Sequence, residues 1–117
     1  MADAATVRLF AYGTLRQREV QLATYGRLLE GTADALTGYR LEPLAITDPD
    51  VVRLSGKAVH NIARQSGDSA DRIPGVVLKL TRAELAATDK YEVDVYARVE
   101  VTLESGTRAF VYIGPSL

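Results

Sequence analysis

Cysteine and tryptophan are absent from this chain of 117 residues, and histidine occurs once, at His60. The lack of cysteine excludes disulfides, thiol nucleophiles and thiolate-bound metals, and a single histidine excludes a metal site with several histidine ligands from one chain. Long apolar runs are also missing, since none approaches the roughly 20 residues that a membrane-spanning helix needs. The first residues lack the basic start and apolar core of a secretory signal. We therefore expect a cytoplasmic protein.

Neither sign of charge is in excess. The 14 Lys and Arg residues nearly balance the 15 Asp and Glu residues, which leaves a formal net charge of −1. Nucleic-acid partners need a basic surface that neutralises phosphates, and anionic membranes attract basic surfaces too, so the composition favours neither partner. Hydrophobic residues at 47% and charged residues at 25% are typical of a globular protein. The length predicts a single domain, residues 1–117, with its own core.

Two segments, one near each end of the chain, are apolar on both faces of an extended backbone. In residues 7–12, Phe10 and Tyr12 share one face, and smaller apolar residues occupy the other. Residues 108–113, RAFVYI, repeat this pattern with Phe110 and Tyr112. A strand that is apolar on both faces is buried on both, so we expect these strands to be central in a sheet.

The remaining patterns predict short helices and antiparallel hairpins. Near-helical spacing predicts a helix over residues 15–29, and the Thr81/Glu84 spacing of a capping box predicts another over residues 82–90. Extended segments are predicted at 30–44, 73–80, 95–103 and 108–113. Residues 47–74 carry no clear periodicity, apart from a turn at TDPD and a polar loop at 64–72. The pattern predicts an α+β fold, a small mixed, mostly antiparallel β-barrel with flanking short helices.

Two short stretches carry residues suited to chemistry. The first strand runs into LFAYGTLR, residues 9–16, where Gly13 lacks a Cβ and lets a ligand approach backbone N–H groups. The same stretch is also typical of a strand that simply ends in a turn. Far along the chain, DKYEVDVYAR covers residues 89–98, with Glu92 at a helix–strand junction. Its apolar neighbours disfavour a charged carboxylate, which suits proton transfer near neutral pH.

Taken together, these stretches resemble the gamma-glutamylcyclotransferase-like family, which includes the AIG2-like proteins. The resemblance consists of YGTL at residues 12–15, DKYE at residues 89–92, the following Tyr96 and Arg98, and the terminal FVYI strand. These motifs occur in the family's order over nearly the whole chain. The resemblance implies a compact mixed barrel with flanking helices.

The resemblance also implies a reaction. In that family the α-amino group of a γ-glutamyl compound attacks its own γ-carbonyl, which gives 5-oxoproline and releases an amine or amino acid. The position of Glu92 is the general acid/base, and the loop matching Tyr12, Gly13, Thr14 and Leu15 cradles the substrate. The expected protein is thus a cofactor-independent enzyme of the lyase or acyltransferase type. Its partner would be a small-molecule γ-glutamyl substrate, with no metal, nucleic acid or membrane involved.

Four further side chains near these motifs have two interpretations each. Tyr96 and Arg98 share one face of a predicted strand, and they either line the pocket or cover the outside of the sheet. Tyr112 either reaches the cavity from the last strand or belongs to the core. Arg16 either attracts an acidic substrate or is simply an exposed arginine at the start of a helix.

Other carboxylates and a second class of function stay open. Asp89 and Asp94 are alternatives to Glu92, although Asp89 is expected to serve the helix end, and His60 is not expected to be catalytic. The family pattern has glycine after the glutamate, where this chain has Val93. The alternative function is therefore a non-catalytic small-ligand or protein-binding module that uses the same cavity. The sequence leaves the released amine undetermined.

Overall fold

The computed structural model of the protein describes residues 6–45, 47–56, 59–91 and 96–114. Among these residues are three α-helices: α1 (Arg18–Tyr25), α2 (Pro49–Ser55) and α3 (Arg82–Tyr91). A 3-10 turn covers Thr14–Arg16. The strands are β1 (Val7–Ala11), β2 (Gly31–Thr37), β3 (Tyr39–Ala45), β4 (Val59–Gln65), β5 (Arg72–Leu80), β6 (Ala97–Thr102) and β7 (Arg108–Ile113). No helix in these ranges has the length and apolar character needed to cross a membrane.

The strands form one curled, half-barrel sheet in the order β2-β5-β1-β7-β4-β3, with β6 added along β7. Most neighbours are antiparallel, but β7 runs parallel to both β1 and β4. Those two contacts are single bridges, Leu9 to Phe110 and Ala63 to Ile113, whereas β6 pairs with β7 along its whole length. The predicted α+β class, with a mixed, mostly antiparallel, barrel-like sheet and short flanking helices, is confirmed.

Apolar side chains pack on both faces of β1, as the sequence predicts for a central strand. Phe10 and Tyr12 belong to one core cluster, with Ala109 and Val111 of β7. Leu9 belongs to the second cluster, which α1 and α3 cover. Leu9 and Phe10 are 0% and 1% exposed, and burial of each such side chain stabilises the fold by about 1.5–3 kcal/mol.

The local signals at the helix ends explain which helix predictions succeed. The capping box of α3 is present, since Glu84 N–H donates to Thr81 Oγ1 (3.1 Å) and Thr81 N–H donates to Glu84 Oε1 (2.9 Å). The helix predicted over residues 15–29 is shorter than expected. An extended Gln17 separates the 3-10 turn from α1, and Gly26, in the left-handed region with φ 73°, ends the helix.

Helix α2 is not among the predicted helices, and a turn is predicted at its start. The Asp48 carboxylate accepts a hydrogen bond from the Asp50 N–H (2.9 Å), and Pro49 occupies the first turn. Gly56 ends the helix with a left-handed backbone. Proline just inside the start of a helix and glycine just past its end are recognised signals, so DPDVVRLSG contained the information for this helix.

Glu84 gives the fold a testable pH dependence. Its carboxylate accepts two hydrogen bonds from Arg27 (2.7 and 2.8 Å) besides the one from the Thr81 N–H. The hydrogen bonds from Arg27, followed by those from Thr81, hold the pKa of Glu84 below its ordinary value. A lowered folded-state pKa contributes stability above the unfolded-state pKa, about 4.3, and that contribution is lost as the pH falls through the folded-state pKa.

We expect Glu84→Gln to lower the free energy of unfolding by about 1 kcal/mol at neutral pH, because it removes this charge and weakens the cap. The difference from the wild type should shrink as the pH falls below the unfolded-state pKa and through the lowered folded-state pKa, because the wild-type carboxylate then becomes protonated too. Urea denaturation at several pH values measures this. A constant difference between the two proteins over that pH range would contradict the assignment.

Candidate active site

A cavity of about 100 Å³ opens where β1 passes into the 3-10 turn. All four residues of the predicted cradle, Tyr12, Gly13, Thr14 and Leu15, line it. The start of β4 at residues 59–61 and the side chains of Tyr96 and Tyr112 complete the wall, together with Arg16. Within the described part of the chain, no carboxylate lines this cavity, so Arg16 gives its edge a positive charge.

Tyr12 has a structural role besides lining the cavity. Its buried hydroxyl donates a hydrogen bond to the Tyr112 carbonyl (2.6 Å) and accepts one from the Ala63 N–H (3.0 Å). These two contacts connect the end of β1 to β7 and β4, whose own pairing is a single bridge. The wall of the cavity is therefore held in place by the same hydroxyl that joins three parts of the sheet.

The turn after Tyr12 leaves backbone donors available. The Arg16 N–H and the Arg16 Nε both donate to the Gly13 carbonyl at 3.1 Å, which closes the 3-10 turn. The N–H groups of Thr14 and Leu15 come before the first i to i+3 bond, so they have no acceptor within the turn. Backbone N–H groups left over at the start of such a turn are able to bind an anion.

Glycine is not needed at position 13 for a left-handed backbone, because Gly13 has φ −128°. What its missing Cβ provides is space. In the described residues, no atom beyond its chain neighbours lies within 4 Å of the position that a Cβ would occupy. The open space is compatible with close approach of a ligand to this glycine.

The cradle is joined to the end of α3 by one short contact. Thr14 Oγ1 and the Tyr91 hydroxyl are 2.6 Å apart, and Thr14 is buried. Tyr91 is the last residue of α3, and Glu92 is the next residue in the chain. Glu92, Val93 and Asp94 lie outside the described residues. The described residues resume at Tyr96, which lines the cavity.

Asp89 joins α3 to the last two strands. Its carboxylate accepts hydrogen bonds from the Tyr112 hydroxyl (2.5 Å) and from Arg98 Nη1 (3.1 Å). The Arg98 guanidinium also lies 5.2 Å from the centre of the Phe110 ring. Arg98 is thus occupied by Asp89 and Phe110 and is not among the residues that line the cavity, whereas Tyr112 is.

His60 and Asn61 line the cavity and were not predicted as site residues. His60 is 9% exposed, and its Nε2 lies 3.1 Å from the Ser55 hydroxyl of α2. In β4, His60 and Ile62 are both buried and lie two residues apart, so their side chains share the inward face of the strand. The alternation of buried and exposed residues in β4 was the signal in the sequence that His60 faces inward. It is weak because both β4 and the preceding α2 are short. Among the described residues, no group of His, Asp or Glu side chains is placed to hold a metal ion.

Comparison with known families identifies the family to which this chain belongs. The sequence profile described as "Gamma-glutamyl cyclotransferase, AIG2-like" matches residues 9–116. The chain belongs to this family. The match to the AIG2-like cyclotransferase family spans both the cradle and the segment that contains Glu92. Among curated protein sequences, none matches the chain.

Several solved structures share the fold of this chain. A protein from Arabidopsis thaliana is similar with a TM-score of 0.73 at 21% identity, over 97% of this chain and 65% of that one. A structure named gamma-glutamyl cyclotransferase has a TM-score of 0.73 at 16% identity, over 95% and 68% of the two chains. A Homo sapiens protein gives 0.71 at 18% identity, over 94% and 67%. At these identities the likeness shows a shared fold, and this AIG2-like chain spans about two thirds of each relative.

Proposed function

We propose that this protein is a gamma-glutamylcyclotransferase-type enzyme. It cyclises a small γ-glutamyl amine or amino acid to 5-oxoproline and releases the amine. Glu92 is the general acid/base, and the loop Tyr12–Leu15 is the substrate cradle. The observation that carries the proposal is the 2.6 Å contact between Thr14 in the cradle and Tyr91, the residue directly before Glu92.

The charge and the donors of the cavity suit the substrate of this reaction. A γ-glutamyl group carries an α-carboxylate, and its γ-carbonyl oxygen becomes negative during attack. Backbone N–H groups of Thr14 and Leu15, with the nearby Arg16, supply donors for such negative oxygens. Oriented donors of this kind stabilise a developing oxyanion strongly where water is excluded.

The reaction needs one group that moves protons. The carboxylate of Glu92 removes a proton from the substrate's α-ammonium, and the free amine then attacks the γ-carbonyl carbon. A C–N bond forms and closes the ring, and an oxyanion develops on the carbonyl oxygen. When that oxyanion collapses, the bond to the leaving nitrogen breaks and the Glu92 carboxyl group returns its proton to the departing amine. The Glu92 carboxylate then takes the second proton from the new ring nitrogen and passes it to the amine, so a neutral lactam and an ammonium product result. Nucleophile and electrophile belong to one molecule, so positioning by the cradle supplies much of the acceleration.

A panel assay tests the proposal. The protein is incubated with γ-glutamyl amino acids, glutathione, γ-glutamylputrescine and γ-glutamyl-lysine, and 5-oxoproline is quantified, with heat-denatured protein as control. We expect at least one compound to give 5-oxoproline at a rate proportional to the protein concentration. A panel without product would contradict the enzymatic function. If γ-glutamyl ligands still bound by calorimetry, that result would favour the alternative, a non-catalytic module that uses the same cavity.

A further inference from the structure

A second cavity, of about 300 Å³, adjoins the first across the 3-10 turn. Arg16 lines both cavities, so the two lie next to each other at this side chain. The second cavity, here called the distal groove, is formed by the start of α1, the segment after α1 and β5. It has a polar side with Arg16, Arg18 and Gln21, and an apolar side with Leu28, Leu29, Val76 and Leu78.

The polar side of the distal groove carries positive charge that no described neighbour neutralises. The ion pairs between described residues include neither Arg16 nor Arg18. The Arg16 Nε donates a hydrogen bond to the Gly13 carbonyl, and this bond holds the arginine side chain beside the cradle. No carboxylate from the described ranges lines the groove. A cationic group placed here would meet two arginines, whereas a carboxylate would be bound by them.

The apolar side of the distal groove is held in place by specific contacts. Leu28, which follows the end of α1, is 44% exposed. Gly31 brings β2 close against β5, because a Cβ there would come within 2.4 Å of Val76 Cγ1. The Gln21 side chain is buried, donating to the Leu15 carbonyl (2.9 Å) and accepting from the Leu29 N–H (3.0 Å). These bonds fix the segment 28–29 beside the cradle.

We propose that the distal groove binds the leaving part of the substrate, and that this part is an amino acid with an apolar side chain. Its carboxylate pairs with Arg16 and Arg18, and its side chain packs against Leu28, Leu29 and Val76. This inference rests on the proposed function and selects among leaving groups that the sequence left open. It disfavours polyamines, because their second ammonium group would face two arginines without an acidic partner.

Matched substrates test the inference. γ-Glutamyl-leucine and γ-glutamyl-isopentylamine differ only in the carboxylate of the leaving group, and γ-glutamylputrescine adds a positive charge. We expect the wild-type kcat/KM for the leucine compound to exceed that for the isopentylamine compound by about tenfold or more, with the putrescine compound lowest. Arg18→Gln should lower the leucine-to-isopentylamine ratio about tenfold, and Arg16→Gln should lower it too. Because the readout is a ratio, general damage to the cradle cancels.

Arg8→Gln is the matched control. Arg8 is an exposed arginine on β1 that lines neither cavity, and its loss should leave the ratio unchanged. Equal turnover of the leucine and isopentylamine compounds by the wild type would overturn the distal-groove inference while supporting the proposed function. A ratio that survives both Arg16→Gln and Arg18→Gln would overturn the assignment of these residues. No 5-oxoproline from any compound would contradict the proposed function itself, and the groove assignment with it.

Discussion

Replacement of Glu92 by glutamine is expected to lower kcat for 5-oxoproline formation by about 10²–10⁴-fold, the usual contribution of a positioned general acid or base. Glutamine keeps the size and much of the hydrogen bonding of glutamate but has no proton to exchange. The amide can therefore neither deprotonate the α-ammonium of the substrate nor protonate the departing amine. Because both proton transfers depend on this group, we expect the loss mainly in kcat and less in KM.

Two further carboxylates serve as controls for Glu92. Glu104 lies beyond the far end of β6 from Tyr96 and pairs with Arg72 (2.8 Å), so Glu104→Gln should retain wild-type turnover. Asp89→Asn tests the alternative base, since Asp89 contacts the cavity-lining Tyr112. Full turnover by Glu92→Gln together with a loss of several hundredfold in Asp89→Asn would move the acid/base role to Asp89. Thermal denaturation of each variant separates lost chemistry from lost folding.

Tyr12→Phe is expected to lower the free energy of unfolding by about 2–4 kcal/mol. The change removes one hydroxyl and, with it, two buried hydrogen bonds, to the Ala63 N–H and to the Tyr112 carbonyl. Each buried polar group that loses its hydrogen bond costs about 1–3 kcal/mol. The effect should be large because these bonds hold β4 and β7 to the end of β1, where the pairing of β4 with β7 is a single bridge.

Tyr39→Phe provides the matched control. Tyr39 packs against the same core cluster, and among the described residues no hydrogen bond involves its hydroxyl. Removal of the Tyr39 hydroxyl should therefore change the free energy of unfolding by less than about 0.5 kcal/mol. Urea denaturation of both variants under the same conditions makes the comparison. If the two tyrosine variants were equally stable, the Tyr12 hydroxyl would have no special structural role.

Short-range features were predictable because their causes lie within a few residues. The capping box of α3 needs only Thr81 and Glu84, and the two-faced burial of β1 follows from an alternation visible in six residues. The prediction for α1 failed where local evidence was ambiguous. The leucines at 28 and 29 continue the helical spacing, yet Gly26 ends the helix before them.

Contacts between distant segments decided the rest of the site. Nothing near Tyr12 in the sequence indicates that its hydroxyl bonds to residues 63 and 112. Likewise, the alternation around His60 indicates that its ring faces inward, but not that the ring lies beside Ser55 and lines the cavity. Arg98 could equally have lined the pocket, until the fold placed it on Asp89 and Phe110.

The sequence by itself determined the fold class, the family and the two motifs, because hydrophobic alternation, capping residues and short motifs are local properties of a chain. Only the tertiary structure decided that YGTL lines a cavity, that Thr14 contacts Tyr91, and that Arg16 lines both this cavity and a second groove. The physical reason is that these contacts depend on how β1 pairs with β5 and β7 and on how α1 packs against α3. Strand pairing joins residues far apart in sequence, and no local pattern specifies its register across the whole sheet.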